Sequence, residues 1–504
     1  MEFETTVSLP PLFTDRMKAL LGDEYEDFLS SFEKPGHPSL RVNTLKLSPA
    51  RLREAAPFVS AQIPWQENGF YYPAHGDIRP GKHPLHEAGA YYIQEASAML
   101  PASLCPPVAG ERVLDLCAAP GGKATQLAAA LDGEGLLVAN EIHPTRAGIL
   151  SQNIERMGVR NAVVTNASPA ELAKRFPAFF DKIVVDAPCS GEGMFRKEAD
   201  AVTMWSPENV SLCAARQAEI LEEAAKMLRV GGYLTYSTCT FAPAENEGAV
   251  LNFLARHPEF EVVPSTSPAV IASREAGLLD GGKPEWVENS ADYPEALRRA
   301  VALTYRVLPH HCDGEGHFAA LLRKTAEGDS SAPPKSEKRK GKKTNGKADP
   351  TPEAAAVKLF EAFAKETLGG IPRWTEGTIP RLFGDRLYLI PGALSSGDPT
   401  EMLQGLRVLR AGLCVGSILG LDRGRGRFEP DHALAMTLSE GTFPTEKLCH
   451  PVDEPTAVAY LRGETFPAAQ RGWRIVTFEG LPLGWGKASD GVMKNHYPKG
   501  LRWN

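Results

Sequence analysis

The stretch VLDLCAAPGGKATQL, Val113 to Leu127, decides the fold of this 504-residue chain. The apolar run VLDL is typical of a buried strand, and the small residues after it indicate a tight turn before a helix that opens at Gly121 and Gly122. In a parallel sheet, such a helix N-terminus faces the crevice at the carboxyl ends of the strands. This order of strand, tight turn and helix therefore predicts a ligand-binding loop over Cys117 to Lys123.

Strand and helix patterns keep alternating from Glu111 to Phe260. The later strand-like runs are LLVAN (136–140), AVVT (162–165), KIVVD (182–186) and GYLTYS (232–237). The clearest helix is predicted over Pro207 to Leu228, with Ser206 as N-cap and Gly231 and Gly232 as its stop. This alternation predicts a doubly wound α/β domain with a parallel sheet.

Length and composition define the wider class of protein. At about 150 residues per domain, the chain has room for about three domains. With 43% hydrophobic and 23% charged residues and a net charge of −7, the chain is neither disordered throughout nor basic throughout. It shows no signal-peptide pattern, no apolar run of about 18 residues and no CxxC among eight cysteines. We therefore expect a cytoplasmic protein with no membrane partner.

Two regions outside the α/β domain stand out by charge. Residues 326–350 are predicted to be a flexible linker, because Lys335 to Lys347 holds seven basic residues against one acidic residue. Leu461 to Asn504 carries seven basic residues against three acidic ones, together with the aromatic residues Trp473, Trp485, Tyr497 and Trp503. Basic residues beside aromatic rings suit RNA, but the same rings also suit the core of a small β module, and both interpretations stay open.

A second part of the ligand site is predicted at Glu141, which closes the second strand. An acid about 20 residues after such a loop can accept hydrogen bonds from ribose hydroxyls, so a nucleoside-containing cofactor is expected. Because neither GxGxxG nor GxxxxGK[ST] is present, S-adenosylmethionine fits better than a dinucleotide or a triphosphate. Asn166, after the third strand, is placed to bind the adenine edge or to serve as a turn residue.

Two cysteines follow later strands: Cys189 in VVDAPCSGEGMF, shortly after Asp186, and Cys239 in YSTCTF. Both thiols are expected at the cofactor edge of the sheet. A thiolate that adds to carbon 6 of cytosine makes carbon 5 nucleophilic, and a neighbouring acid can stabilise the charge that reaches ring nitrogen 3. A second thiol or a base can assist when the carbon 5 proton and the thiol leave. Methylation of cytosine carbon 5 is the predicted reaction.

These motifs resemble those of the Sun-type (Nol, Nop and Sun) RNA cytosine-5 methyltransferases. LDLCAAPGGKATQL, Glu141, VVDAPCSGEGMFRK and YSTCTFAPAENE follow one another in the family's order. The flanking segments resemble the bacterial RsmF group, which modifies cytidines in small-subunit ribosomal RNA; they are LRVNTLK (40–46), YYIQEASAMLP (91–101), GEGHFAALLRK (314–324) and GLPLGWGKASDGVMKNHYPKGLR (480–502).

The resemblance implies a Rossmann-like class I methyltransferase domain, flanked by an N-terminal α+β module and by C-terminal α+β and PUA-like modules. The expected segments are an N-terminal RNA-binding module (1–95), the S-adenosylmethionine-dependent methyltransferase domain (96–325), the linker (326–350), a middle module (351–445) and a PUA-like RNA-binding module (446–504). The expected partner is 16S ribosomal RNA or the small ribosomal subunit, and the expected state is a monomer.

The resemblance also implies a role for each site residue. Cys239 would be the nucleophile, Cys189 would help to release the product, and Asp186 would hold the cytosine and assist at ring nitrogen 3. S-adenosylmethionine would be bound by Cys117, Ala118, Ala119, Pro120, Gly121, Gly122, Lys123, Glu141, Arg146, Asn166 and Asp186. Many relatives carry an aspartate at the position of Asn166, whose amide oxygen can still accept from the adenine amine.

Other interpretations of the same residues are a DNA cytosine-5 methyltransferase with Cys189 as nucleophile, a tRNA cytosine-5 methyltransferase, and a catalytically silent rRNA-binding assembly factor. PCSGEG lacks the PCQ pattern of the DNA enzymes. The contiguous His310, His311 and Cys312 are interpreted as a solvated loop, because chain neighbours rarely converge on one ion. No metal is expected, since methyl transfer from a sulfonium needs none.

Overall fold

The structure, a computed structural model, describes residues 9–74, 78–328, 351–395, 397–420, 426–438 and 448–503. The predicted linker lies outside the described residues from position 329 onward. Within the described ranges the strands form four sheets. None of the helices in these ranges is both long and apolar enough to span a membrane.

The N-terminal module is a four-stranded antiparallel sheet with short helices, as the predicted α+β class requires. Its strands are β1 (Ser39–Val42), β2 (Gln62–Ile63), β3 (Gln66–Tyr71) and β4 (Tyr91–Ile93). Its helices are α1 (Pro11–Leu21), α2 (Tyr25–Ser31), α3 (Pro49–Ala55) and α4 (Pro84–Glu87). Its apolar core also includes side chains from the C-terminal module, so the two ends of the chain pack together.

The central domain contains the predicted parallel sheet. Its strands are β5 (Arg112–Asp115), β6 (Leu136–Asn140), β7 (Ala162–Thr165), β8 (Phe180–Asp186), β9 (Leu228–Thr238), β10 (Phe260–Val262), β11 (Asp280–Gly281), β12 (Tyr305–Val307) and β13 (His317–Lys324). The parallel order is β7-β6-β5-β8-β9, and β13 lies antiparallel beside β9, followed by β12 and β11. The reversal of strand order at β5 puts the ligand crevice above β5 and β8.

Helices cover both faces of this sheet and bury its apolar side chains. The helices of this domain are α5 (Leu100–Leu104), α6 (Gly122–Leu131), α7 (Pro144–Arg156), α8 (Pro169–Arg175), α9 (Ala199–Met204), which packs against the N-terminal helices, α10 (Pro207–Met227), α11 (Glu247–Arg256), α12 (Pro268–Glu275) and α13 (Glu295–Val301). Helix α10 begins as predicted, because the Ser206 side chain accepts a hydrogen bond from the Asn209 N–H at 3.2 Å. The predicted stop is wrong: Leu228 already pairs with Phe180, so the helix ends at Met227 and the two glycines lie inside β9.

The middle module supplies an edge strand to the central sheet. Its strands are β14 (Thr378–Phe383), β15 (Arg386–Pro391), β16 (Val408–Ala411), β17 (Leu413–Leu419) and β18 (Arg427–Pro430), and its helices are α14 (Pro352–Phe363), α15 (Pro399–Leu403) and α16 (His432–Met436). Strand β16 is not part of the four-stranded sheet of its own module and instead pairs antiparallel with β7. Arg410 of β16 forms an ion pair with Glu155 of α7 at this junction. The pairing covers an edge that would otherwise expose unpaired backbone groups.

The C-terminal module is a five-stranded sheet with one helix, α17 (Glu454–Leu461). Its strands are β19 (Cys449–Pro451), β20 (Phe466–Pro467), β21 (Gly472–Phe478), β22 (Leu481–Ser489) and β23 (Val492–Asn495). Trp485 and Tyr497 are buried, as the small β-module interpretation expects, whereas Trp473 and Trp503 stay partly exposed. Two of the four rings are therefore core residues, and two remain available at the surface.

Candidate active site

A cavity of about 710 Å³ opens at the carboxyl ends of the parallel strands. Its volume falls within the roughly 300–1,000 Å³ typical of small-molecule sites. The predicted site residues on its wall are Cys117, Ala119, Glu141, Arg146, Asp186, Cys189 and Cys239. The two predicted thiols, the predicted carboxylates and part of the predicted cofactor loop therefore meet in one cavity.

The loop residues that do not line the cavity lie behind its wall. Gly121 has a φ of +119°, and a Cβ there would lie 3.3 Å from Leu150 of α7. A Cβ on Gly122 would lie 3.2 Å from Gln94 of the N-terminal module. The glycines thus permit close packing of helix and module. The predicted cofactor residues that do not line the cavity are Ala118, Pro120, Gly121, Gly122, Lys123 and Asn166.

Glu141 is almost fully buried, with 3% of its surface exposed. One carboxylate oxygen accepts a hydrogen bond from the His143 N–H at 2.9 Å, and the other lies 3.6 Å from the Arg146 guanidinium. Arg146 also donates to the carbonyl of Ala119 at 2.8 Å, which ties the acid to the loop. A carboxylate offers about four lone-pair positions, so Glu141 keeps acceptor capacity for ribose hydroxyls.

Asn166 holds a loop instead of facing the cavity. Its amide nitrogen donates to the carbonyls of Glu141 and Ile142, each at 2.8 Å. Its backbone N–H donates to the backbone carbonyl of Arg407 in the middle module at 2.8 Å. The amide nitrogen thus supports the loop after β6, and the expected contact of the amide oxygen with adenine stays a prediction. Ile142, exposed on the cavity wall, was not predicted, and its one sequence signal is its place after Glu141.

Asp186 lies at the centre of a polar cluster. Its Oδ2 accepts from Lys123 Nζ at 2.7 Å, its Oδ1 accepts from Ser237 Oγ at 2.8 Å, and His317 Nε2 lies 3.5 Å from Oδ1. Burial acts to raise the pKa of the Asp186 carboxyl, but the charge of Lys123 and the contact with His317 outweigh it and hold that pKa well below its usual range. Asp186 is therefore an ionised hydrogen-bond acceptor at neutral pH.

Asp115, at the end of β5, is a buried carboxyl that the sequence did not single out. Burial, followed by the charge of nearby Asp186, raises the pKa of Asp115 to about 8. At neutral pH Asp115 is therefore mainly protonated, and the ammonium of Lys123 is paired with Asp186.

The two thiols face each other, with the sulfur atoms of Cys189 and Cys239 3.3 Å apart, and both are free. The hydrogen bond between them and burial raise the pKa of the Cys189 thiol well above its usual value. Because Cys189 holds its proton, it is poorly suited to attack as a thiolate. The raised pKa favours Cys189 as the proton-bearing member of the pair, which leaves Cys239 as the candidate nucleophile.

A buried carboxyl that the sequence did not assign holds the Cys189 turn. Glu245, in the YSTCTFAPAENE motif, accepts from the Ser190 N–H at 3.0 Å, from the Ser190 hydroxyl and from Gln217 Nε2 at 2.8 Å. Burial raises the pKa of Glu245 to about 7. The acidic end of the motif thus positions the turn that carries Cys189.

The histidines after β12 differ from the solvated loop that was expected. The side chain of His310 is only 3% exposed and meets the Phe28 ring edge-on, with centroids 5.6 Å apart. His311 lies beside it, and Nε2 of both rings approaches Glu24 from the turn between α1 and α2. The His310 ring is buried because Phe28 of α2 packs against it, a contact that the local sequence does not reveal, whereas His311 is 27% exposed.

Family models match four consecutive parts of the chain. They describe the N-terminal domain of 16S rRNA methyltransferase RsmF (residues 9–96), the 16S rRNA methyltransferase RsmB/F (residues 102–323), the RsmF rRNA methyltransferase first C-terminal domain (residues 362–438) and the methyltransferase RsmF PUA domain (residues 447–503).

Curated relatives match over nearly the whole chain. A ribosomal RNA small subunit methyltransferase F from Klebsiella pneumoniae is 35% identical, with 99% of this chain and 97% of the relative aligned. Its namesake from Vibrio vulnificus is 33% identical, with 99% and 98% aligned. Among solved structures, a methyltransferase homologue from Pyrococcus horikoshii superposes with a TM-score of 0.53 at 29% identity, covering 63% of this chain and 96% of its own.

Proposed function

The chain belongs to the 16S rRNA methyltransferase RsmB/F family, and on this premise we propose that its cavity binds S-adenosylmethionine together with a cytidine of 16S ribosomal RNA. The proposed product is 5-methylcytidine. The observation that carries this proposal is the Cys189 and Cys239 pair, 3.3 Å apart, on the wall that also holds Glu141 and Asp186. S-adenosylmethionine, when bound, supplies an electrophilic methyl group.

Cys239 attacks carbon 6 of the cytosine ring, and the electron pair of the ring double bond moves toward carbon 5 and ring nitrogen 3. Asp186 is ionised, so it accepts a hydrogen bond from the exocyclic amine but has no proton to give. Lys123 does not line the cavity, but its ammonium lies 2.7 Å from Asp186 Oδ2, so its positive charge offsets that of the carboxylate beside ring nitrogen 3. The role expected of Asp186 alone is thus divided between two side chains.

Cys189 acts after the methyl group has arrived. The carbon 5 proton leaves to a base, the ring double bond re-forms, and the bond between carbon 6 and Cys239 breaks with its electron pair on sulfur. The Cys189 thiol, 3.3 Å from that sulfur and protonated, can neutralise the departing thiolate. Glu245 keeps Cys189 in place through Ser190.

Bisulfite sequencing of RNA from cells with and without the gene tests the proposal. We expect at least one 5-methylcytidine in 16S ribosomal RNA to disappear with the gene and to return with the wild-type copy. Loss of a methylated cytidine in tRNA instead would support the tRNA alternative. No methyl transfer to naked rRNA, small subunits or tRNA, despite cofactor binding, would support the silent assembly factor.

Glu141→Ala is expected to weaken S-adenosylmethionine binding by about 10- to 100-fold, because a hydrogen bond to a charged group contributes about 1.5–3 kcal/mol. Equilibrium binding to the purified protein measures this. The control is Glu134→Ala, which changes an exposed acid two residues before β6 that does not line the cavity. Equal affinity of the wild type and Glu141→Ala would remove Glu141 from the cofactor site.

The exposed face of the C-terminal module is a further part of the proposal. The Lys487 ammonium lies 5.1 Å above the Trp473 ring, Arg474 donates to the Trp473 carbonyl, and Arg471 is 84% exposed. A partly exposed ring among cations suits an unpaired base and its phosphates. We propose that this face, together with Lys494, contacts the RNA substrate.

Replacing Arg471, Arg474, Lys487 and Lys494 together with glutamine is expected to lower RNA affinity by about tenfold or more and to make its salt dependence shallower, since fewer counterions are released. Filter binding at several salt concentrations measures both effects. A control of equal charge change replaces Lys226, Arg229, Arg256 and Arg299 at exposed positions of the central domain. An unchanged salt slope in the first variant would rule out this face.

A further inference from the structure

Three metal-ligand side chains converge where the N-terminal helices meet the central domain. Glu24 lies in the short 3₁₀ turn between α1 and α2, and His310 and His311 follow β12. One ligand atom from each residue lies within 4.8 Å of the other two. We propose that Glu24, His310 and His311 bind a divalent transition-metal ion and that zinc fits the site.

Two of the three distances between ligand atoms agree with tetrahedral zinc. The same oxygen of Glu24, Oε2, lies 3.2 Å from His310 Nε2 and 3.4 Å from His311 Nε2. With bonds of about 2.0–2.1 Å, two ligands of a tetrahedral zinc lie about 3.3–3.4 Å apart. Two imidazoles and one carboxylate are also a donor set that zinc accepts, with a fourth position left for water. Glu24 is 55% exposed, so solvent reaches that position.

A second carboxylate orients His311 as metal sites commonly require. Asp280, in β11, accepts a hydrogen bond from His311 Nδ1 at 2.7 Å. This contact holds the ring with Nε2 toward Glu24 Oε2, 3.4 Å away. His310 Nε2 and His311 Nε2 thus meet the same carboxylate oxygen, as two imidazole ligands and one carboxylate ligand of a single ion would.

His257 also lies between two carboxylates and serves as a comparison for His311. Its Nδ1 lies 2.9 Å from Glu259 and its Nε2 lies 3.0 Å from Glu222, which also pairs with Arg256. His311 is likewise contacted by a carboxylate at each ring nitrogen, but the two carboxylate oxygens at His257 contact this one imidazole and not a second. At Glu24, one oxygen meets two imidazole nitrogens. His257 is therefore a matched control for the proposed site.

The proposed ion would join the N-terminal helices to the active-site region. The segment that carries His310 and His311 leads directly into β13, where His317 lies beside Asp186. A metal bond across the junction would restrain that segment and raise the melting temperature of the folded chain by mass action. The site is separate from the cavity and takes no part in methyl transfer.

Zinc titration of the full-length Cys189→Ala/Cys239→Ala protein by calorimetry tests the proposal, because this background lacks the thiol pair that could itself bind zinc. We expect one zinc per chain and a higher melting temperature with zinc. Binding should weaken by about tenfold or more in Glu24→Gln and in His311→Gln and stay unchanged in His257→Gln.

The proposal would be overturned if the background protein showed no saturable zinc binding. It would also be overturned if Glu24→Gln and His311→Gln bound zinc as tightly as the background protein does. Melting curves without zinc establish that each variant folds. Should His311→Gln melt early, Glu24→Gln decides the test, because its exposed side chain can be changed without disturbing the core.

Discussion

Cys239→Ala is expected to abolish methyl transfer, with a rate reduced by about 10⁴-fold or more, the scale seen when a nucleophile is removed. Carbon 5 of cytosine is too weakly nucleophilic to react unless a thiolate has added to carbon 6. Burial still raises the pKa of the neighbouring Cys189 thiol once Cys239 has been replaced, so Cys189 is not expected to take over the attack. Transfer of a labelled methyl group from S-adenosylmethionine to 16S ribosomal RNA measures the loss.

The control for this prediction is Cys213→Ala. Cys213 is a buried thiol on α10 that does not line the cavity, so its removal should leave the transfer rate within a few-fold of wild type. A Cys239→Ala protein that retains transfer, beside a Cys189→Ala protein that forms no adduct, would instead assign the attack to Cys189, as in the DNA enzymes.

Asp186→Asn is expected to reduce the turnover number by about 10²- to 10³-fold, the cost of losing one aligned electrostatic group. The amide has the same shape but no charge, so it loses the ion pair that holds Lys123 Nζ at 2.7 Å and weakens the acceptor for the cytosine amine. Steady-state kinetics with saturating RNA and S-adenosylmethionine measure the effect.

Asp115→Asn is the matched control for the same measurement. Because burial raises the pKa of Asp115 to about 8, its carboxyl is already mainly neutral at pH 7, and an amide imitates that neutral form. We expect turnover within a few-fold of wild type. If Asp115→Asn were as impaired as Asp186→Asn, the ionised partner of Lys123 would have been wrongly assigned.

The parallel sheet and most of the catalytic wall could be predicted because each depends on local sequence. Glu141, Asp186 and Cys239 each end or follow a strand, and strand ends of a parallel sheet share one edge. The strand runs at 136–140 and 162–165 are confirmed to the residue. A functional residue at a strand end can thus be predicted from the sequence pattern of its nearest neighbours in the chain.

Features that depend on distant contacts could not be predicted. Glu245 reaches Ser190 across 55 positions, and Glu24 reaches His310 across 286, so neither partner is visible in a local pattern. Strand β16 pairs with β7 although the two belong to different sequence segments. The contact of Lys123 with Asp186 likewise joins residues 63 positions apart. The packed structure, and not the local sequence, determines which distant residue a long side chain contacts and which strands pair at the edge of a sheet.

The central claim is that the sulfur of Cys239 bonds to carbon 6 of the cytosine. Denaturing electrophoresis and mass spectrometry of protein incubated with 16S ribosomal RNA and S-adenosylmethionine test it most directly. Cys189→Ala should accumulate RNA covalently attached at Cys239, and both Cys239→Ala and the Cys189→Ala/Cys239→Ala protein should show no attached RNA. Attached RNA in Cys239→Ala, or none in Cys189→Ala, would contradict the claim.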